Sequence, residues 1–190
     1  GLRGRVTGPV IRYALIFARD LNWNLGRGGR IPWHVPGDLR WFRTHTAGKL
    51  CLVGARTYLG LPPLPGRQLI VVGRDPPHPL PRGVVAWVPT ARAARGEVIR
   101  RVIQGGAHPE VMVIGGAALY REFLAGMDGE PLRAYETELE VEVGGADCAM
   151  PELPGVWREV FTHTEDDPYN QLEESSGWSA TYRILERAGG

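Results

Sequence analysis

Val111-Met112-Val113-Ile114-Gly115-Gly116-Ala117-Ala118-Leu119-Tyr120 decides how this 190-residue chain folds. Four apolar residues in a row, two glycines and a run of helix formers read as a buried strand, a tight turn and the start of a helix. The same succession recurs upstream. The apolar run 50–53 leads into Gly54-Ala55-Arg56-Thr57 and a helix, and the run 69–72 leads into Gly73-Arg74. Strands that feed helices through glycine turns belong to parallel sheets covered on both faces.

Outward from these segments, hydrophobic patterning places strands at 13–19, 50–54, 68–73, 84–88, 110–114, 134–143, 158–164 and 180–186. It places helices at 38–47, 56–60, 91–104 and 117–127. Thr90 is a good start for the third helix, and Gly105-Gly106 is a good stop. Strands and helices alternate over the first two thirds, and long strands finish the chain. The expected fold is a single α/β domain: a mostly parallel central sheet of about eight strands, late antiparallel strands and flanking helices. The Pro/Gly-rich segments 61–66 and 76–83 are loops rather than domain linkers.

Composition narrows the function. With 43% hydrophobic residues the chain can fill one sizeable core. Net charge is 22 − 21 = +1, without the electrostatic footprint that nucleic acid or an anionic membrane needs. Cys51 and Cys148 form neither a disulfide framework nor a metal-type pair. His34, His45, His78, His108 and His163 are dispersed, so a protein-ligated metal is not expected. No apolar run reaches the length of a membrane span, and residues 1–12 lack the pattern of a signal peptide. The chain reads as soluble and cytoplasmic.

In an open α/β sheet the ligand crevice lies beyond the carboxyl ends of the parallel strands. There the turns at Gly54, Gly73 and Gly115-Gly116 offer free backbone N–H groups, and two of them open helices with their positive dipole ends. Arg56 and Arg74 add forked donors for phosphate. Together these features suggest a dinucleotide cradle, although each glycine alone is also just a turn, and the G-x-G-x-x-G spacing is absent. A second constellation runs from Gly26 through Ile31-Pro32-Trp33 to Pro36-Gly37-Asp38-Leu39-Arg40-Trp41-Phe42. Asp38 and Phe42, four residues apart, share one helix face with Leu39 beside them. A carboxylate among apolar walls suits a flat heteroaromatic ring that carries an amino group and a ring N–H. The plainer reading is an acid that complements its helix dipole.

These residues resemble the dihydrofolate reductase family. The resemblance is carried by Ala14-Leu15-Ile16-Phe17-Ala18, Leu25-Gly26, Ile31-Pro32-Trp33, Pro36-Gly37-Asp38-Leu39 with Phe42, and Gly54-Ala55-Arg56-Thr57. It continues through Leu64-Pro65-Gly66-Arg67, Ile114-Gly115-Gly116-Ala117 with Tyr120, and Thr137, to the closing strand. It covers residues 12–187 and leaves 1–11 as an N-terminal extension. The resemblance implies NADPH-dependent reduction of 7,8-dihydrofolate to tetrahydrofolate, with Asp38 gripping the pterin and assisting protonation of N5. Thr137 would hold Asp38, and Trp33 would hold a water. Ile16, Leu39, Phe42, Leu64, Ile114 and Thr137 would line the substrate pocket, and Arg67 would bind the folate carboxylate. Ala18, Leu25, Gly26, Gly54, Ala55, Arg56, Thr57, Gly73, Arg74, Ile114, Gly115, Gly116, Ala117, Ala118, Leu119 and Tyr120 would form the NADPH side. Residues 26–32 would be a mobile lid, and a cis peptide would join Gly115 to Gly116.

The chain departs from the family's usual pattern in two places. The common Gly-Arg-x-Thr is here Gly54-Ala55-Arg56-Thr57, moving the arginine by one place, with Arg74 a candidate replacement. The following Tyr58-Leu59-Gly60-Leu61 lacks an acid–serine pair. Two other readings stay open at this point: a reductase of another pterin or of an amino-uracil, and a nucleotide-binding protein without catalysis. A monomer acting on small molecules, and blocked by antifolates, is expected.

Overall fold

The computed structural model describes residues 8–26, 35–142, 148–166 and 179–190. Its strands are β1 (Arg12–Arg19), β2 (Asn24–Gly26), β3 (Leu50–Gly54), β4 (Gln68–Val72) and β5 (Val84–Val88), then β6 (Glu110–Gly115), β7 (Leu132–Leu139), β8 (Cys148–Ala149), β9 (Arg158–Asp166) and β10 (Ser179–Arg187). The helices are α1 (Pro36–Thr46), α2 (Ala55–Leu59), α3 (Ala91–Ile99) and α4 (Ala117–Gly126). Eight strands form one sheet in the order β5-β4-β3-β6-β1-β7-β10-β9. The six strands from β5 to β7 run parallel, and β10 and β9 add antiparallel at the far edge.

The expected architecture is therefore the observed one, and its reason is visible in burial. The β3 residues Leu50, Cys51, Leu52 and Val53 are all inaccessible to solvent, as a strand covered on both faces must be. Alternation along β1 divides the core. Tyr13, Leu15 and Phe17 join the cluster under α3 and α4, while Ala14 and Ile16 join the one that Trp41 and Phe42 of α1 pack against.

Several boundaries differ from expectation. The strand expected over 134–143 ends at Leu139, where Val141 N–H turns back to the Leu139 carbonyl. The helix expected over 91–104 is α-helical to Ile99 and closes in a π-helical turn over Arg100–Gln104. Its start is the expected one, with the Thr90 hydroxyl accepting from Ala93 N–H at 3.0 Å. The short pair β2–β8 was not expected.

The winding positions a crevice. From β1 the chain moves outward through β3, β4 and β5, then returns to insert β6 between β3 and β1. The carboxyl ends of β3, β6 and β1, carrying Gly54, Gly115 and Ala18, thus meet where the strand order reverses. At the chain's end Arg187, 7% exposed, fastens β10 to the body. Its guanidinium donates to the carbonyls of Met127 (2.7 Å), Glu130 (2.8 Å) and Pro154 (2.9 Å). Removing it strands three partly buried carbonyls, so Arg187→Ala is expected to cost about 2–4 kcal/mol, read as a lower urea midpoint.

Candidate active site

Asp38 lies in the first turn of α1, which opens with Pro36 and has Val35 as an N-cap residue without a side-chain cap. On β7 the Thr137 hydroxyl, almost fully buried, donates to Asp38 Oδ1 at 2.7 Å. Burial pushes the Asp38 carboxyl from 3.8 up to about 6, against the opposing pull of the Thr137 hydrogen bond. The helix dipole also favours the charged form by a fraction of a kcal/mol to about 1 kcal/mol, so desolvation is the winning effect.

An aromatic cluster lies on the same side of the sheet. Trp41 lies against Tyr182 at 5.0 Å between centroids and stacks on Phe161 at 6.0 Å. Tyr182 of β10 pairs in register with Thr137. Its phenol is pushed up, first by burial and then by the charges of Asp38 and Glu165. Neither Trp41 nor Tyr182 stood out in the sequence. For Tyr182 the one signal was an aromatic at an inward position of the last strand.

On the same side of the sheet, buried Ile16 joins partly buried Phe42, Leu64 and Ile114 in one apolar cluster. Leu39 does not join it. At 55% exposure it is one position round the helix from Asp38, and it offers accessible apolar surface rather than a packed wall. Arg67, after the Pro65-Gly66 turn, is half-buried, and its Nε is buried with no hydrogen-bond partner among the described residues. Trp33 and most of the expected 26–32 lid lie outside the described residues.

Across the crevice the glycine turns come together. Gly115, at φ +122°, is joined to Gly116 by a cis peptide bond. A Cβ on Gly116 would stand 2.7 Å from Thr57 Oγ1, so the starts of α2 and α4 touch. Gly116 is the N-cap of α4 without a side-chain cap, and no acid occupies the first turn at Ala117 and Ala118. Free N–H groups there can bind an anion. Ala55 lies against Gly73, and Arg56 and Arg74 are exposed. Leu119 and Tyr120 are core residues beneath this turn. The Tyr120 hydroxyl is committed to the Ile16 carbonyl at 2.6 Å. Ala18 pairs in register with Thr137, Leu25 packs on the main cluster, and Gly26 pairs with Cys148. The arrangement joins an apolar cluster and one weakly acidic carboxyl to an uncapped, side-chain-poor helix start.

Comparison with known proteins gives the family and the fold. Residues 12–186 match the family model described as dihydrofolate reductase. The Haemophilus influenzae dihydrofolate reductase is 32% identical over 177 residues, 92% of this chain and 98% of that one. The type 3 enzyme of Salmonella typhimurium is 35% identical over 158 residues, 81% of this chain and 89% of that one. Among solved structures, Enterococcus faecalis dihydrofolate reductase complexed with NADP(H) and RAB-propyl aligns with a TM-score of 0.70. It is 23% identical, covers 93% of this chain and 96% of that one, and speaks for the fold.

The raised Asp38 pKa has a consequence for stability. The folded state holds this proton more tightly than the unfolded chain, so the group's contribution is fully present below about pH 4 and is lost as pH rises through about 6. Asp38→Asn is expected to stabilise the protein at pH 7–8 by on the order of 1 kcal/mol, given the carboxyl's partial solvent contact, and to change little at pH 4. Urea unfolding at the two pH values checks this.

Proposed function

The chain belongs to the dihydrofolate reductase family, and we propose that Asp38 is its proton-holding group, Thr137 its anchor and Arg67 its substrate-tail ligand in the reduction of 7,8-dihydrofolate to tetrahydrofolate. NADPH, when bound, supplies the hydride that reaches pterin C6. The residues suit that dinucleotide. The uncapped start of α4 and the exposed guanidinium groups of Arg56 and Arg74 match phosphate, and the glycine turns leave room for a close backbone approach.

The observation that carries the reading is the desolvated Asp38–Thr137 pair. Ionised, the carboxyl beside the apolar cluster accepts from the amino group and ring N–H of a pterin at its two oxygens, and with its pKa raised to about 6 a fraction of it still carries a proton near neutral pH for N5. Thr137 fixes the rotamer of that carboxyl, so the two acceptor oxygens stay in one plane. Ile16, Phe42, Leu64 and Ile114 exclude water around the ring, with Leu39 closing on it from its accessible position. The unpartnered Arg67 Nε suits a carboxylate on the substrate's tail. Trp33 would hold the water through which the N5 proton passes. The catalytic unit is residues 12–187, working as a monomer in the cytoplasm.

An amino-uracil substrate is disfavoured by the same carboxyl, which the amidine-like edge of a pterin satisfies at two points. A binding protein without turnover would have no use for a carboxyl poised near neutrality.

Loss of NADPH absorbance with dihydrofolate tests the reading. Turnover is expected, with kcat/KM falling as pH rises through a limb near 6, where Asp38 loses its proton. Asp38→Asn is expected to remove that limb and to lower kcat/KM by about 10²-fold or more. Thr137→Val removes the opposing hydrogen bond and is expected to move the limb to higher pH. No oxidation of NADPH with dihydrofolate by the wild-type chain overturns the reading. A diaminopyrimidine antifolate is expected to bind as its protonated form, with affinity lost in Asp38→Asn.

A further inference from the structure

The face of the sheet opposite Asp38 carries a charge cluster that the reaction above does not use. Alternation on β7 sends Glu136 and Glu138 away from Thr137, and Arg19 of β1 and Arg183 of β10 meet them there. Arg19, 6% exposed, contacts Glu136 at 3.3 Å and Glu138 at 2.8 Å. Arg183 reaches the same two carboxylates at 3.0 and 3.3 Å and Glu159 at 3.4 Å.

A buried ion pair of this kind gives little net stability over two apolar side chains of similar volume. What the Arg19 guanidinium adds is direction. Its Nη1 donates to the Asp20 carbonyl at 3.1 Å, and its plane sits 3.8 Å from the centre of the Trp23 ring. Trp23 has the positive φ of 61° at the corner of the turn. Within that turn the Asp20 carboxylate accepts from the Asn22 and Asn24 N–H groups, both at 2.8 Å. The turn is also held from outside, since Leu21 N–H donates to the Val141 carbonyl and Met150 N–H to that of Trp23. Residues 20–26 join Ala18 to Leu25 and Gly26, the β1 end of the crevice.

We propose that Arg19 is a positioning residue for the nicotinamide cofactor: clamped by Glu136 and Glu138, it holds the 20–26 turn, and with it Leu25, in the geometry that binds NADPH. The inference rests on the proposed cofactor site. Loosening the turn makes cofactor binding carry the cost of ordering it, whereas Asp38 and Thr137, on the other face, keep their geometry.

The test uses Arg19→Met alone and with Glu136→Leu. The single variant leaves the buried Glu136 carboxylate with Arg183 alone where it had two guanidinium partners, and is expected to lower Tm. The double variant removes both charges, leaves Arg183 paired with Glu138 and Glu159, and is expected to recover most of that loss. Both are expected to weaken NADPH binding, followed by protein fluorescence, about tenfold or more. Both should raise the NADPH KM in parallel, with kcat at saturating NADPH within threefold and the pH limb unmoved. Trp23→Ala, a change at a partly exposed ring, is expected to raise the NADPH Kd severalfold with no loss of Tm. Faster hydrogen exchange at the Asn22 and Asn24 amides of Arg19→Met is expected whatever the substrate proves to be. Wild-type NADPH affinity in the double variant and in Trp23→Ala overturns the proposal and leaves the cluster structural. A wild-type chain that binds NADPH but does not reduce dihydrofolate sinks the proposed reaction instead, and the binding comparison still decides the role of Arg19.

Discussion

A carboxyl group held out of water against its own preference for charge is the constraint around which this molecule is arranged. Two features at Asp38 favour the anion, the start of α1 and the Thr137 hydroxyl, and burial still pushes the group to about 6. That balance requires three distant parts of the chain to meet. The helix must begin at Pro36, β7 must place Thr137 beside Ala18, and β10 must bring Tyr182 across from Thr137 with Trp41 against it. The antiparallel addition at the edge of an otherwise parallel sheet thus reaches the surroundings of the carboxyl, since Tyr182 lies close enough to feel the Asp38 charge.

Fold elements that announce themselves locally were legible. Runs such as Leu50–Val53 and Val111–Ile114 are apolar on both faces because parallel strands are covered on both, and the glycines after them mark the turns. Asp38 was legible as an acid at a helix start, and Thr90 as a cap. What depends on distant pairing was not legible. The strands β2 and β8 are three and two residues long and exist only because Asn24 meets Ala149 and Gly26 meets Cys148. Val141 continues the apolar pattern of β7, yet its carbonyl is taken by Leu21 and the strand has already ended. Leu39 was read with Asp38 and Phe42 as one face, and the structure leaves it 55% exposed, outside the packed cluster that Phe42 joins. Tyr182 is some 140 positions from Asp38 in sequence, so its effect on that carboxyl has no local trace.

Charge is placed with the same economy. The chain's only lysine, Lys49, is paired with Glu110 at 2.6 Å at the amino ends of the strands, where Arg133 at 3.0 Å and the Tyr135 hydroxyl at 2.9 Å complete the carboxylate's partners. Burial alone would raise the Glu110 pKa, but these partners outweigh it and hold the group below its ordinary value. Glu138, in the Arg19 cluster, is lowered by the same balance, its desolvation overcome by Arg19 and Arg183. Asp38 is the opposite case. It has a hydroxyl for a neighbour rather than a guanidinium, so desolvation is left to win.

That contrast separates paired carboxylates from a weakly acidic one by physical criteria alone. A carboxylate matched by arginine or lysine stays ionised through the range where an enzyme works, and it can fasten strands but cannot deliver a proton near neutral pH. Held by threonine and backed by Trp41 and Tyr182, a carboxyl titrates where proton transfer is useful. Along β7, alternation keeps the partner of Asp38 apart from two of the paired carboxylates. Thr137 turns toward Asp38 while Glu136 and Glu138 turn toward Arg19 and Arg183. An arginine in contact with Asp38 would stabilise its anion and draw its pKa back toward the ordinary range, so the hydroxyl partner is what leaves this carboxyl weakly acidic.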